Sequence, residues 1–352
     1  SINSSREEVK QQMKEELNYN IHNLLTFKIM RKKKRDFMRD LNLEFSLFEV
    51  EDIDNPDIFL NIGKFTPSNN HCYLIDHKYH IKKNYLYCKD SGGRAKWEVE
   101  IFGFEEGATT INYNGRVLGS EALFPDRIPQ TNILRPLIEY KLDKKGYLLI
   151  HSAGISNNNK GYVLAGRPGA FKSTLTMDFI RRAGFSWLGD DRVIIHKDKI
   201  LSFPMTPVTI DFKCKYLQTE EFRGFLDKIR FVKYLHHNTK CENCDASIAK
   251  SSILEALVFI ARTNKGAIKK RDISLDEAVD KLVENNRAEM MLEHFYKYML
   301  AYSFVFPNSG ITRYWDSLKE NLVEILKDVL IYEIEIPEKY DLNVFGEVCK
   351  LL

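Results

Sequence analysis

The chain of 352 residues carries 52 Lys and Arg against 49 Asp and Glu, a net charge of +3, with 44% hydrophobic and 29% charged residues. This balance belongs to a globular protein, is too near neutral to call for nucleic acid or membrane, and leaves room for two domains. No run approaches eighteen apolar residues, the start Ser1-Ile-Asn-Ser-Ser-Arg-Glu-Glu8 is charged, and six cysteines are scattered without a disulfide framework. The expectation is a cytoplasmic protein with no membrane span and no signal peptide.

Residues 1–45 are rich in Lys and Glu and lack Gly and Pro, which predicts one or two helices. The basic run Arg31-Lys-Lys-Lys-Arg35 within them reads as a solvated helix face rather than a nucleic-acid patch. From 46 to 130 the texture is β-rich: Phe59–Ile62, Tyr79–Tyr87, Lys96–Phe102 and Thr109–Tyr113 are predicted strands of an antiparallel domain. Asp90-Ser-Gly-Gly93 and Asn112-Tyr-Asn-Gly115 supply turn chemistry near them. A helix over 132–140 leads into a strand over 147–154, and Ser156-Asn-Asn-Asn-Lys-Gly161 is a tight turn into the next strand, 161–165. A helix follows over 173–183, with Leu175, Phe179 and Ala183 on one face. Strands are then expected at 185–189, 193–196, 200–203 and 208–212. The last third reads as helical apart from the strands 256–261 and 330–336, and Ser274-Leu-Asp-Glu277 is a capping box opening a helix to about Asn285.

The stretch Gly166-Arg-Pro-Gly-Ala-Phe-Lys-Ser-Thr174 lies between that strand and that helix. A glycine-bearing loop there aims backbone N–H groups at one point, the helix dipole adds partial positive charge, and Lys172 adds a whole one. The usual phosphate loop reads G-x-x-x-x-G-K-[ST], and here Phe171 stands where the second glycine belongs. Gly166, Arg167, Pro168, Gly169, Ala170, Phe171, Lys172, Ser173 and Thr174 are thus candidate nucleotide-binding residues. The same stretch also reads as an ordinary strand–turn–helix with a solvated lysine.

Asp190 and Asp191 end a strand about twenty residues after the loop, where ligands of open sheets bind. One carboxylate could hold Mg²⁺ together with the Ser173 hydroxyl, and the other could take a proton from an attacking hydroxyl; a polar turn is the alternative. His151, expected at the end of a strand pairing with the one that feeds the loop, is a candidate for phosphate contact or proton transfer, or else a structural histidine. Arg262 closes the apolar run 256–261, where a cation could stabilise transferring phosphoryl charge or simply make a surface ion pair. Cys241-Glu-Asn-Cys244 has metal-knuckle spacing, with His236, His237 and Cys214 as further candidate ligands. A second Cys-x-x-Cys is absent, and two unpaired thiols in a loop are the favoured reading.

In order, Ile150-His-Ser-Ala-Gly154, the loop 166–174, Gly184-Phe-Ser-Trp-Leu-Gly-Asp-Asp191, Phe203-Pro204 and the strand 256–262 resemble the HPr serine kinase/phosphorylase family. The resemblance covers about residues 134–285. It implies an α/β (α+β) fold with a phosphoenolpyruvate carboxykinase-like P-loop core over 131–352, flanked by a β-rich N-terminal part and a helical C-terminal part. It further implies a kinase using ATP and Mg²⁺ on a hydroxyl-bearing acceptor, a protein serine or a small alcohol, and a homo-oligomeric state. By the resemblance Lys172 grips phosphates, Ser173 and Asp191 serve the metal, and Asp190 is the base, although the two aspartates can be exchanged. Two features depart from the family. Phe171 replaces a loop glycine, and the glycine- and asparagine-bearing signature of the bifunctional enzymes is absent, so a phosphorylase activity is not implied. A nucleotide-binding regulatory protein stays open as the rival.

Overall fold

The computed structural model describes residues 15–31, 45–119, 122, 127–204, 212, 226, 229–231, 233–234 and 247–352. Two nine-stranded sheets of mixed direction and several helices make it a mixed α/β protein. The longer helices among the described residues are α1 (Arg135–Asp143), α2 (Lys172–Ala183), α3 (Leu275–Met291), α4 (His294–Val305), α5 (Tyr314–Leu326) and α6 (Leu342–Leu351). Two compact units share the chain: residues 1–140 with 293–313, and residues 141–292 with 314–352. No described helix is long and apolar enough to cross a membrane.

The first unit is built on β1 (Glu15–Ile21), β2 (Leu25–Arg31), β3 (Glu49–Val50), β4 (Ile58–Ile62), β5 (Tyr73–Ile75), β6 (Tyr79–Lys82), β7 (Tyr85–Gly92), β8 (Ala95–Phe102) and β9 (Thr109–Val117). They line up as β3-β1-β2-β4-β9-β8-β7-β6-β5. The sheet is not purely antiparallel, because β4 runs parallel to both β2 and β9. The helices expected within residues 1–45 are corrected over 15–31, which form the hairpin β1–β2. Leu17, Tyr19, Ile21, Leu25, Phe27 and Ile29 are all buried, so apolar residues at every second position prevail over helix-forming composition. His22 and Asn23 turn the chain with φ of 53° and 59°. Arg31 is buried at the end of β2 rather than solvated, and the rest of the basic run lies outside the described residues.

Tyr79–Tyr87 is also not one strand but a hairpin, with Asn84 in the left-handed region at its turn. Asn112–Gly115 is not a turn but part of β9. Its polar side chains are accommodated across the sheet: Asn112 Nδ2 donates to the buried Glu100 carboxylate at 3.0 Å, and Asn61 Nδ2 donates to Asn112 Oδ1 at 3.0 Å. Helix α4 packs on this sheet through Trp97 Nε1, which donates to Tyr298 Oη at 3.0 Å, and through the Phe104–Tyr302 ring pair. Burial would raise the Asp90 carboxyl. The bonds from His294, Lys78 and the Ser91 N–H outweigh it and hold that group well below the usual carboxylate range.

The second unit contains β10 (Leu148–Ile150), β11 (Ser152–Asn157), β12 (Lys160–Ala165), β13 (Ser186–Gly189), β14 (Val193–His196), β15 (Lys199–Leu201), β16 (Ser251–Thr263), β17 (Lys269–Asp272) and β18 (Leu330–Pro337). Their order is β10-β14-β15-β16-β12-β11-β13, with β18 parallel to β16 and β17 beside β18. Asn158 and Asn159, both at positive φ, make the tight turn between β11 and β12. Helices α2 and α6 pack Leu175, Phe179, Val344 and Phe345 onto Leu164, Val258 and Ile334 of one sheet face. Full burial of side chains such as Leu175 and Phe179 contributes about 1.5–3 kcal/mol each. On the other face α3 sets Lys281 over the Phe259 ring and packs on α5. Ser274 caps α3 as expected, its Oγ accepting from the Glu277 N–H, and the helix runs on to Met291. The strand expected at 208–212 falls mainly outside the described residues.

At the end of α1, Asp143 accepts from Asn321 and Ser317, yet burial pushes its carboxyl up to about 6. A carboxyl raised in the folded state binds its proton more tightly there than when unfolded. Stability therefore falls as pH rises from about 4 through 6. Asp143→Asn should remove that slope and stabilise the protein by up to about 3 kcal/mol at pH 7.5, with little change at pH 4. Urea unfolding at the two pH values measures it, and equal gains at both would refute the assignment.

Candidate nucleotide-binding site

Strands β13, β12, β16 and β18 all run in one direction, and their carboxyl ends meet at one end of the sheet. The register fixes what arrives there. Ala165, which precedes the loop, pairs with Ser152 on one side and with Phe259 on the other. Gly154 pairs with Gly189, so Asp190 and Asp191 extend past the same end. Across the sheet, Arg262 lies one strand from the loop on one side. His151 lies one strand away on the other, and the aspartates two strands, or about 10 Å, away.

The loop itself is tightly held. A Cβ on Gly166 would come within 2.6 Å of the Ile260 carbonyl oxygen, so only glycine permits this approach to β16. Gly169 has a φ of 81°. Phe171 adopts φ 61°, ψ 21° as the N-cap of α2 and supplies no side-chain cap. It therefore takes the left-handed geometry that the missing glycine would supply, at about 1–2 kcal/mol for a residue with a Cβ. Its ring is fixed between the Arg262 guanidinium, 4.6 Å from the centroid, and Tyr340, whose ring lies 5.3 Å away. Tyr340 Oη in turn donates to Asp178 of α2 at 2.6 Å. Phe171→Ala keeps the strained backbone while Phe171→Gly relieves it, and both lose the ring. The glycine variant should be the more stable of the two by about 1 kcal/mol in denaturant unfolding, and parity would deny the strain.

Lys172 is only 4% exposed, and its Nζ turns back into the loop, donating to the carbonyls of Gly166 at 2.7 Å and Arg167 at 3.3 Å. It is not a solvated lysine. Ser173 and Thr174 follow in the first turn of α2, half-buried. The N–H groups of such a turn have no carbonyl four residues back. Arg262 is engaged rather than open: it donates to the Gly169 carbonyl at 3.2 Å and the Glu338 carbonyl at 2.7 Å.

The expected position of His151 needs correction. It does not end a strand pairing with β12; it occupies the break between β10, which pairs with β14, and β11, which pairs with β12. Two neighbouring asparagines of α3 bond the backbone around this break, where Ser152 Oγ also donates to the His151 carbonyl at 2.8 Å. Asn286 Oδ1 accepts from the His151 N–H at 2.8 Å, and its Nδ2 donates to the Leu149 carbonyl at 3.2 Å. Asn285 Nδ2 donates to the His151 carbonyl at 2.7 Å, and its Oδ1 accepts from Arg167 Nη1 at 3.0 Å. The His151 ring lies between two carboxylates: Nδ1 is 3.5 Å from Asp191 and Nε2 is 3.9 Å from Glu289, whose same oxygen is 3.7 Å from Arg167. Asp190 is 4% exposed, whereas the Asp191 side chain is 42% exposed.

A cleft of about 1060 Å³ opens on the β16 side of the loop, bounded by Gly166–Ala170, Phe259–Asn264 and the α3 residues Lys281, Glu284, Asn285 and Ala288. It takes in Arg167 and Arg262; Lys172, His151, Asp190 and Asp191 are not among its walls. Among the described residues no three His, Cys, Asp or Glu side chains converge as metal ligands. Cys214, His236, His237, Cys241 and Cys244 lie outside those residues. Asn285, Asn286 and Glu289 escaped the sequence reading. Their signal is that the buried stripe Ala278, Leu282 of α3 continues in polar residues at helical spacing. Compared with known proteins, the chain matches no protein-family model and no curated protein.

Proposed function

We propose that this chain is a P-loop phosphotransferase resembling the HPr serine kinases, moving the γ-phosphoryl of ATP to a hydroxyl, most simply a serine of a protein or peptide. The observation that carries the reading is Lys172. Its ammonium is buried inside a glycine-bearing loop at a helix N-terminus, at the same end of the sheet as a histidine and two aspartates. Phosphates on the loop amides of residues 169–174 would take the bonds that Lys172 now gives to the loop's own carbonyls.

Ser173 and Asp191 offer hard oxygen donors, and so few protein ligands suit Mg²⁺, which keeps water and substrate phosphates in its shell. When bound, the ion neutralises charge on the phosphates. The acceptor hydroxyl gives its proton to a carboxylate as its oxygen bonds to the γ-phosphorus, and the bond from that phosphorus to the bridging oxygen breaks toward the nucleoside diphosphate. Asp190 is the base on the family pattern. The exposure of Asp191 and its place beside His151 support exchanging the two roles. Arg262, held beside Gly169, supplies a fixed positive charge at the loop's edge. A cytoplasmic, reducing setting suits the reading, and the described Cys72, Cys88 and Cys349 are free thiols.

One observation favours a second reading, a nucleotide-binding regulatory protein: Phe171 fills the glycine position and is packed there. Incubating the protein with γ-labelled ATP, Mg²⁺ and a lysate of its source decides between the two. Label on a protein or a small alcohol supports the kinase and identifies the acceptor class. Mg·ATP binding without any labelled product supports the regulatory reading, and no binding removes both.

A further inference from the structure

The phosphate loop and the His151 strand break are separate in sequence and adjacent in the sheet, and Asn285 is bonded to both. The residue is 4% exposed, and its side chain gives an N–H to the His151 carbonyl at 2.7 Å and takes an N–H of the Arg167 guanidinium at 3.0 Å. One helical turn on, a single Glu289 oxygen faces the same Arg167 nitrogen at 3.7 Å and the His151 ring at 3.9 Å. The Arg167 side chain is otherwise 57% exposed, so an exposed ion pair alone would hold it weakly. The bond to a buried amide is what gives the contact a fixed geometry. Asn285 has no other assigned task, and a helix interior gains nothing from an asparagine there.

We infer that Asn285 is a positioning residue: through Arg167 it fixes the start of the phosphate loop relative to His151 and the adjacent aspartates. This rests on the kinase reading. The residue does not touch the reacting atoms in that scheme. It sets the distance between the side of the site that holds phosphate and the side that receives the acceptor's proton, and an error of an ångström in that distance is costly to rate. Glu289 supports the same guanidinium from the next turn.

A double-mutant cycle with Arg167→Ala and Asn285→Ala tests this, using two measurements. The first is amide hydrogen exchange of a peptide spanning 166–174 in the protein without nucleotide. Each single variant should exchange about tenfold faster than the parent, and the double variant no faster than either. The second is transfer of label from ATP, where kcat should fall about tenfold in each single variant, without further loss in the double, and the nucleotide KM of Asn285→Ala should stay within about twofold. Independent, additive effects in the exchange measurement would overturn the proposal. A parent protein that transfers no phosphoryl would remove the kinase reading, while the exchange cycle would still decide the role of Asn285. Should Asn285→Ala not fold, Asn285→Asp, which keeps the acceptor for Arg167 and loses the donor to His151, takes its place. It should then retain slow exchange at the loop and lose kcat.

Discussion

Lys172→Ala should lower phosphoryl transfer by roughly 10³-fold or more while leaving the protein folded. The two expectations come from different bonds. In the protein alone, Lys172 Nζ serves the carbonyls of Gly166 and Arg167, and losing those two bonds costs about 1–2 kcal/mol of a total in the range of 5–15 kcal/mol. With nucleotide bound, the same ammonium would face several phosphate charges at close range, where a missing cation is felt in the rate. Lys172→Arg should not restore transfer. A planar guanidinium cannot replace a compact ammonium in a cavity closed by two loop carbonyls. Labelled-ATP assays beside thermal unfolding separate the terms. Undiminished transfer by a folded alanine variant would dismiss any phosphate role for the loop.

Asn286→Ala should be the most destabilising single change at the site, at about 3 kcal/mol. The His151 N–H lies at the break between β10 and β11, the Leu149 carbonyl lies in the β10 strand that leads to it, and the Asn286 amide is bonded to both. Truncation leaves two buried backbone groups without that partner, each costing about 1–3 kcal/mol. Asn286→Asp keeps an acceptor for the N–H and loses the donor to the carbonyl, so its loss should be intermediate. Urea unfolding monitored by fluorescence gives the order parent, Asp, Ala in falling midpoint. An alanine variant as stable as the parent would mean that the strand break is satisfied in another way.

The parts that the sequence made legible are those with a local cause. The strand–loop–helix around residues 160–183 follows from an apolar run, glycines and a helical stripe, and it forms within a residue of expectation. The hairpin β1–β2 was equally local: Leu17, Tyr19 and Ile21 alternate plainly, but Lys/Glu-rich composition concealed the period of two. Phe171 was legible only as a fault. Its compensation by Arg262 and Tyr340 comes from residues far along the chain, and no spacing rule announces them. Asn285 and Asn286 were invisible for a related reason. A polar pair in a helix reads as solvent-facing until the helix is seen against a strand break whose bonds it completes.

The division of the chain also carries a consequence for how the protein is made. The first unit's sheet is complete in sequence by residue 117, but α4, which supplies Tyr298 and Tyr302 to Trp97 and Phe104, comes only after residues 141–292. During synthesis that apolar face must stay uncovered until the whole intervening segment has left the ribosome, a period in which it is open to wrong partners. A fragment ending near residue 140 would remain in that condition permanently. Such a truncation should aggregate where the full chain does not, however complete its strands look on paper.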